Sequence, residues 1–141
     1  MRNTPHAPRR RTARRGAAAV EFAVVAPFLM FLFIIAMDWG RLFYHSIIVN
    51  NCARNGAMYA ADPWATARSP YTSLSQAALA DAPNLNPAPD VTSSSGTDSF
   101  GNYVDCTVSY TFKTITKYPG VPSSNPIVRT VRIYQAPQTP K

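Results

Sequence analysis

The longest apolar run of the chain lies near its N-terminus and predicts a helix that crosses a membrane. Residues 17–37 read AAAVEFAVVAPFLMFLFIIAM and contain one ionisable side chain, Glu21. A helix needs about 20 mainly apolar residues, at about 1.5 Å each, to cross the hydrocarbon core of a bilayer. The run meets that requirement. Pro27 lacks an amide hydrogen, so we expect it to bend or loosen the helix locally.

The helical pattern continues beyond the apolar run, to about residue 61. Small and apolar side chains recur at helical spacing on one side of residues 38–61 and next to it: Ile48, Cys52, Ala53, Gly56, Ala57, Tyr59 and Ala60. Asp62 and Pro63 then end the helix, because a residue that precedes proline disfavours the helical conformation. The second half of the helix is therefore predicted to be amphipathic, with small residues where another element can approach closely.

Alternating side chains further along the chain predict a small sheet. Every second residue is apolar in 103–112, including Cys106, which is typical of a half-buried strand. Residues 127–135 predict a second strand, and a short strand is expected near Val91. The predicted fold class is α+β: a long N-terminal helix that continues outside the membrane and packs on a small antiparallel sheet.

The segments that connect the predicted helix and strands contain fewer sequence signals of secondary structure. Residues 63–72 are interpreted as a loop. Ser73 and Gln76 match a capping box that starts a short helix, which runs through about Ala82. The connection between the two clear strands, residues 113–126, is long and Pro-rich, so we do not expect a tight hairpin there.

The positive charge of the chain is concentrated before the apolar run. The net charge is +7, and six arginines lie in the first sixteen residues with no acid among them. The rest carries eight Lys or Arg against seven Asp or Glu. A basic tail beside an apolar span sets topology, with the N-terminus in the cytoplasm. Nucleic acid is not an expected partner, because the basic residues form a tail and not a face.

These patterns divide the chain into four segments. They are a basic leader (1–16), the transmembrane part of the helix (17–37), its extracytoplasmic part (38–62) and a small extracytoplasmic α+β domain (63–141). An ordinary signal peptide has a shorter apolar core and a cleavage site after it. Since neither is present, an uncleaved anchor is the better interpretation. The arginine pairs leave a twin-arginine export signal open, although the strong apolar character speaks against it.

Glu21 is the most informative side chain of the apolar run. A carboxylate in a membrane helix is costly and marks a functional site by default, although near the end of the run it can also reach interfacial water. Gly16 closes the basic leader, and Glu21 is the fifth residue after it. This arrangement resembles the prepilin class of signal, which a membrane aspartic peptidase cuts after the glycine. The resemblance implies a mature chain beginning at Ala17.

The resemblance extends over residues 16–60. Its features are Gly16, the run Val20 to Ala23, Pro27, and the block Ala-Arg-x-Gly-Ala at Ala53 to Ala57. Together they resemble the TadE-like minor pilins or pseudopilins of the tight-adherence (Tad, or Flp) pilus. Met58 departs from the pattern, in which an arginine often follows Gly-Ala.

This resemblance implies a structural subunit of the bacterial inner membrane that can also enter the extracellular pilus. Its partners would be the prepilin peptidase, other pilins, Tad inner-membrane assembly proteins and the lipid bilayer. Glu21, Phe22 and Pro27 are the implied assembly residues. Glu21 would pair with the free N-terminal amine of a neighbouring subunit, since two opposite charges attract strongly in a low-dielectric bundle.

The two cysteines lie beyond the apolar run, in a compartment where a disulfide can persist. Cys52 is predicted on the helix and Cys106 on the apolar face of a strand. If the sheet packs on the outer half of the helix, the two can form a bridge; the alternative is two buried free thiols. The two histidines lie far from both, so no metal site and no cofactor are expected.

Asp38 and Arg41 stand three residues apart and can pair. The aromatic residues Trp39 and Tyr44 nearby favour a different interpretation, in which this stretch marks the membrane–water boundary. The sequence contains no nucleophile motif, phosphate-binding glycine loop or paired carboxylates, so an enzyme is not expected.

Two functions remain in view. The first is a TadE-like minor pilin that is trimmed at Gly16–Ala17 and assembled into a pilus for adhesion. The second is a permanently anchored, single-pass extracytoplasmic binding module with an uncut leader. A secreted enzyme accessory factor is a weaker third class. The mature N-terminus distinguishes the first two.

Overall fold

The computed structural model describes residues 12–115 and 122–135 of the chain. Three sequence-based expectations fall partly outside this range. Residues 1–11 of the basic leader and residues 116–121 of the Pro-rich connection are not described. The same holds for residues 136–141, the end of the predicted domain 63–141.

Helices precede strands in the described residues: α1 (Thr12–Ala61), α2 (Ala65–Arg68), α3 (Leu74–Leu79), β1 (Asp90–Asp98), β2 (Gly101–Lys113) and β3 (Ser124–Tyr134). A long apolar helix followed by a three-stranded antiparallel sheet confirms the predicted α+β class. The chain divides into two compact units, Met1–Met37 and Asp38–Lys141.

The first unit contains the apolar part of α1. The helix begins at Thr12, five residues before the apolar run starts at Ala17. Pro27 lies inside the helix, and most of the apolar side chains around it are exposed. Among the described residues, α1 is the helix that is long and apolar enough to cross a membrane. Because such a surface is unfavourable in water, it needs lipid or other apolar helices around it.

In the second unit, α1 contributes its face of small residues to a core shared with the sheet. Val49, Cys52, Ala53 and Ala57 are buried. They belong to one cluster that also contains Ala82, Leu85, Cys106, Val108, Phe112 and Ile127. The opposite side of the helix, at Arg54, is exposed. The prediction of an amphipathic second half is confirmed.

The strands pair in the order β1-β2-β3, all antiparallel. β2 extends the predicted strand 103–112 by two residues at its start and one at its end. Its core-facing side chains are mainly the predicted apolar ones, with Val104, Cys106, Val108 and Phe112 buried. Alternation of apolar and polar residues therefore identified both the strand and its buried face.

β1 is longer than the short strand predicted near Val91. It pairs with β2 over its whole length, from Asp90 to Asp98, although most of its side chains are polar and exposed. A tight turn joins the two strands: the Phe100 amide donates to Asp98 Oδ1 at 2.8 Å, and Gly101 has a φ of 127°. Glycine adopts this φ without steric cost. The turn and the pairing with β2 hold β1 in place without a buried apolar face. For that reason its sequence shows no apolar alternation.

Residues 63–72 contain the one-turn helix α2, which the loop interpretation missed. The start of α3 agrees with the prediction, since Ser73 Oγ accepts from the Gln76 amide at 3.2 Å. Gln76 Oε1 accepts from the amide and the hydroxyl of Thr72, at 3.0 and 2.8 Å. In a reciprocal capping box this oxygen would instead accept from the amide of Ser73. The helix ends at Leu79, three residues earlier than expected.

Candidate functional site

The residues predicted for processing and assembly all lie on α1 in the first unit. Gly16, Ala17, Glu21, Phe22 and Pro27 are helical and exposed. Glu21 follows Ala17 by four residues, which is about one helical turn, or about 6 Å along the axis. None of the ion pairs in the described part of the chain includes Glu21.

The backbone around Gly16 is open. A Cβ atom added at Gly16 would meet no heavy atom within 4 Å. Glycine also lowers helix stability by about 1 kcal/mol relative to alanine, so it makes local opening of this helix easier. Both properties suit a peptide bond that an enzyme has to reach.

The two cysteines come together in the core of the second unit. Cys52 on α1 and Cys106 on β2 are fully buried, and both thiols are free. Burial raises the pKa of both. The pKa of Cys52 is raised further by the Asp81 carboxylate and, to a smaller extent, by the Cys106 thiol. A backbone hydrogen bond acts in the opposite direction and lowers it. Both thiols are thus protonated at neutral pH and closed to solvent, so they react slowly once the domain has folded.

Gly56 allows β2 to approach α1 at this point. A Cβ atom on Gly56 would lie 2.6 Å from the Cys106 sulfur and 3.1 Å from the Cβ of Ala78. Any larger residue would therefore push both neighbours away from the helix. Because Gly56 lies one turn after Cys52, the space that it leaves places the Cys106 sulfur on the same helix face as Cys52.

Asp38 and Arg41 form the pair that the boundary interpretation set aside. Asp38 is 7% exposed, and its Oδ1 accepts from Arg41 at 3.3 Å. The same oxygen accepts from the Ile115 amide at 3.0 Å. The Arg41 guanidinium carbon lies 5.2 Å from the centre of the Phe112 ring. The first turn of the second unit is thereby joined to the end of β2, a contact for which the sequence carried no local signal.

A further polar cluster, also missed by sequence reasoning, lies on the outer side of the sheet. Arg132 donates to both carboxylate oxygens of Asp105, at 2.8 and 2.7 Å. Its guanidinium carbon lies 3.6 Å from the centre of the Tyr103 ring. Asp105 lies on β2 and Arg132 on β3, and the strand register places them opposite each other. These groups thus pair with one another across the two strands.

An open cavity of about 450 Å³ lies near the end of α1, between Asn55, Tyr59, Arg68, Tyr71 and Asp81. Several of its polar groups are already paired. Asn55 donates to Asp81 at 2.8 Å, and the Tyr59 hydroxyl donates to the Tyr71 carbonyl oxygen at 3.1 Å. Within residues 12–115 and 122–135, no group of three His, Cys, Asp or Glu side chains is arranged to hold a metal ion.

The described residues define a class of protein, in which a small α+β domain is carried by a helix able to cross a membrane. Residues 16–58 match the family described as TadE-like protein, so the resemblance to that family is confirmed over this segment. The segment includes Gly16, Glu21 and Gly56. No curated protein and no solved structure matches the chain.

Proposed function

We propose that this protein is a TadE-like minor pilin or pseudopilin, a membrane-anchored structural subunit for assembly of Tad pili in adhesion. The TadE-like match over residues 16–58 carries the proposal, and the helix able to cross a membrane supports it. In this role residues 17–37 lie in the bacterial inner membrane and provide the surface on which subunits pack. Residues 38–62 and the domain 63–141 lie outside the cytoplasm.

Prepilin peptidase removes the leader, residues 1–16, by cutting between Gly16 and Ala17. The helix begins before this bond, at Thr12, so its first turns have to open for the peptide bond to be reached. Helix ends open at low cost, and Gly16 lowers that cost further. The absence of a side chain at Gly16 leaves the bond unhindered.

Glu21 sets the register between neighbouring subunits. The cut frees the amine of Ala17, and Glu21 of the next subunit pairs with it. For parallel helices, the spacing of these groups corresponds to an axial offset of about 6 Å, or four residues. Either charge alone is penalised among apolar helices, whereas the pair is attractive. Phe22 adds an exposed apolar contact, and Pro27 leaves the Ala23 carbonyl without its helical donor.

The outer domain is held to the helix by a disulfide between Cys52 and Cys106. Their burial on facing elements and the space left by Gly56 support this pairing. Because both thiols are closed to solvent once folded, the bridge forms while the domain folds. A bridge that closes a loop of this length stabilises by about 2–4 kcal/mol.

Substitution of Glu21 by glutamine tests the assembly role. The side chain keeps its size and loses its charge, so membrane insertion is unchanged. The amount of the variant protein in sheared pili falls by about a hundredfold, because breaking a buried ion pair weakens subunit association by about 3 kcal/mol or more. Immunoblots of membrane and pilus fractions measure both quantities. Glu21→Asp, which keeps the charge, is the matched control and retains incorporation. Wild-type levels of Glu21→Gln in pili would rule out this role.

A further inference from the structure

The open cavity near the end of α1 is lined by residues from three helices. α1 contributes Tyr59, α2 contributes Arg68, and α3 contributes the buried Ala77. The segment between α2 and α3 adds Tyr71. The cavity volume of about 450 Å³ lies within the range of about 300–1,000 Å³ that is usual for small-molecule sites. All of these residues belong to the second unit, so the cavity lies within that unit.

Hydrogen bonds within the second unit hold several side chains of the cavity in place. The Tyr59 hydroxyl donates to the Tyr71 carbonyl oxygen at 3.1 Å, and the Tyr71 amide donates to Ser69 Oγ at 3.2 Å. Asn55 Nδ2 donates to Asp81 Oδ2 at 2.8 Å. These bonds connect α1 to the end of α3 and to the segment before it. Because the side chains are already ordered, less entropy is lost when a ligand binds.

Donors and acceptors both remain available in the cavity. The Arg68 guanidinium forms no hydrogen bond or ion pair with any described residue. Asp81 uses Oδ2 for Asn55, and Asp62 uses Oδ1 for the Trp64 amide, so each keeps its second oxygen as an acceptor. A guanidinium only donates and a carboxylate only accepts. A ligand in this cavity therefore has to accept hydrogen bonds as well as donate them.

The charges of the lining favour an uncharged ligand. Since Arg68 is not paired with Asp62 or Asp81, groups of both signs line the same cavity. The carboxylates would repel an anion, and the guanidinium would repel a cation. A hydroxyl group both donates and accepts. Several hydroxyls on one small molecule can thus satisfy both kinds of group without adding charge.

Aromatic and apolar side chains form much of the remaining lining. Tyr59 is half-buried and Tyr71 is 37% exposed, while Ala65 and Ala77 are buried. The face of an aromatic ring carries partial negative charge, which attracts C–H groups. A sugar ring carries C–H groups on its faces and hydroxyls around its edge. It therefore offers both kinds of surface that match this cavity.

We propose that the cavity binds one uncharged sugar ring, either free or at the end of a glycan chain. Arg68 donates to hydroxyls of the sugar, and Asp62 and Asp81 accept from other hydroxyls. Tyr59 and Tyr71 contact the C–H groups. This inference goes beyond the proposed function, because it gives the outer domain a ligand and does not depend on assembly into a pilus.

The test measures sugar binding to the full chain by isothermal titration calorimetry. The detergent must lack a sugar headgroup, because such a headgroup would compete. The probes are the methyl glycosides of glucose, galactose, mannose and N-acetylglucosamine. We expect a dissociation constant of about 1 mM for at least one of them, which is usual for a ligand of this size. Binding of the N-acetylglucosamine glycoside would indicate cell-wall glycans as the source, and binding of the others would indicate glycans on other surfaces.

Two variants identify the site. Arg68→Met removes the unpaired donor and should weaken binding by about tenfold or more. Arg54→Met is the matched control, because Arg54 is exposed on α1 but does not line the cavity, and it should bind as wild type does. Tyr71→Ala removes a ring but keeps the carbonyl oxygen that Tyr59 contacts, and should also weaken binding. Melting temperatures from circular dichroism show that each variant is folded.

Absence of saturable binding of all four glycosides to folded wild-type protein would overturn the proposal. Equal weakening by Arg68→Met and Arg54→Met would do the same. Tri-lysine or tri-glutamate that displaces the sugar, or binds in its place, would overturn the uncharged ligand. Pilus incorporation is measured separately on the wild-type chain. Incorporation without sugar binding overturns the sugar site alone, whereas sugar binding without incorporation overturns the pilin role alone.

Discussion

At the residue scale, Arg132 organises the exposed side of the sheet. Its hydrogen bonds to Asp105 hold the pKa of that carboxyl below its ordinary value. The pKa of Asp98 is lowered mainly by the hydrogen bond from the Phe100 amide, and then by Tyr134 and Arg132. In turn, Asp105 raises the pKa of Arg132. One cation thus links the middle of β2 to the tip of the β1–β2 hairpin.

Asp105→Asn is expected to lower the thermal stability of the domain modestly at pH 7, because the pair is exposed to solvent. A carboxyl whose folded pKa is lowered stabilises above its unfolded pKa of about 3.9, and this contribution is lost as pH falls through the folded pKa. The difference in melting temperature between wild type and variant therefore shrinks below about pH 4. Circular dichroism of the full chain in detergent measures it.

Asp90→Asn, at the start of β1, is the control for the loss of one exposed carboxylate. It should leave the melting temperature nearly unchanged at pH 7. A difference for Asp105→Asn that is the same at pH 3 as at pH 7 would argue against the role of the ion pair.

Single residues differ in how far the sequence identifies them. Glu21 and Gly16 were singled out because a charge in an apolar run and a glycine before it are strong local signals. Asp38 was named, but its contact with Ile115 joins residues 77 positions apart. The Asp105–Arg132 contact depends in the same way on strand register. Neither distance nor register is encoded in a local pattern, so these contacts required the structure.

At the scale of elements, the packing of α1 against β2 organises the second unit. Small residues at helical spacing predicted the buried face of α1, and alternation predicted that of β2. Both patterns reflect burial, which is why they identified these elements well. β1 was predicted only as a short strand near Val91, because its mainly polar side chains show no apolar alternation and pairing with β2 holds it in place. α2 was missed because it is a single turn.

Because α1 packs against β2, we predict a disulfide between Cys52 and Cys106. Wild-type protein recovered from the inner membrane should migrate faster on a non-reducing gel than after reduction, because the bridge keeps the denatured chain compact. Cys106→Ser should migrate equally in both conditions and lose about 2–4 kcal/mol of stability. Wild-type protein whose mobility does not change on reduction would show that the thiols stay free.

At the scale of the whole molecule, the two units differ in the surroundings that they require. The unit Asp38–Lys141 has its own buried core. Most apolar side chains of residues 17–37 are exposed, and they require lipid or other helices around them. In the sequence, the apolar run and the basic leader differ in composition from the remainder, whose charges are nearly balanced. In the proposed function, the lipid bilayer and then the neighbouring pilus subunits provide these surroundings.

The identity of the mature N-terminus tests the pilin role most directly. Mass spectrometry of the chain from sheared pili and from inner membranes should find a first residue of Ala17 in wild type. Gly16→Val, which crowds the bond to be cut, should retain the leader and stay in the membrane. Wild-type protein that keeps residues 1–16 in cells that build pili would contradict the account and favour a permanently anchored module.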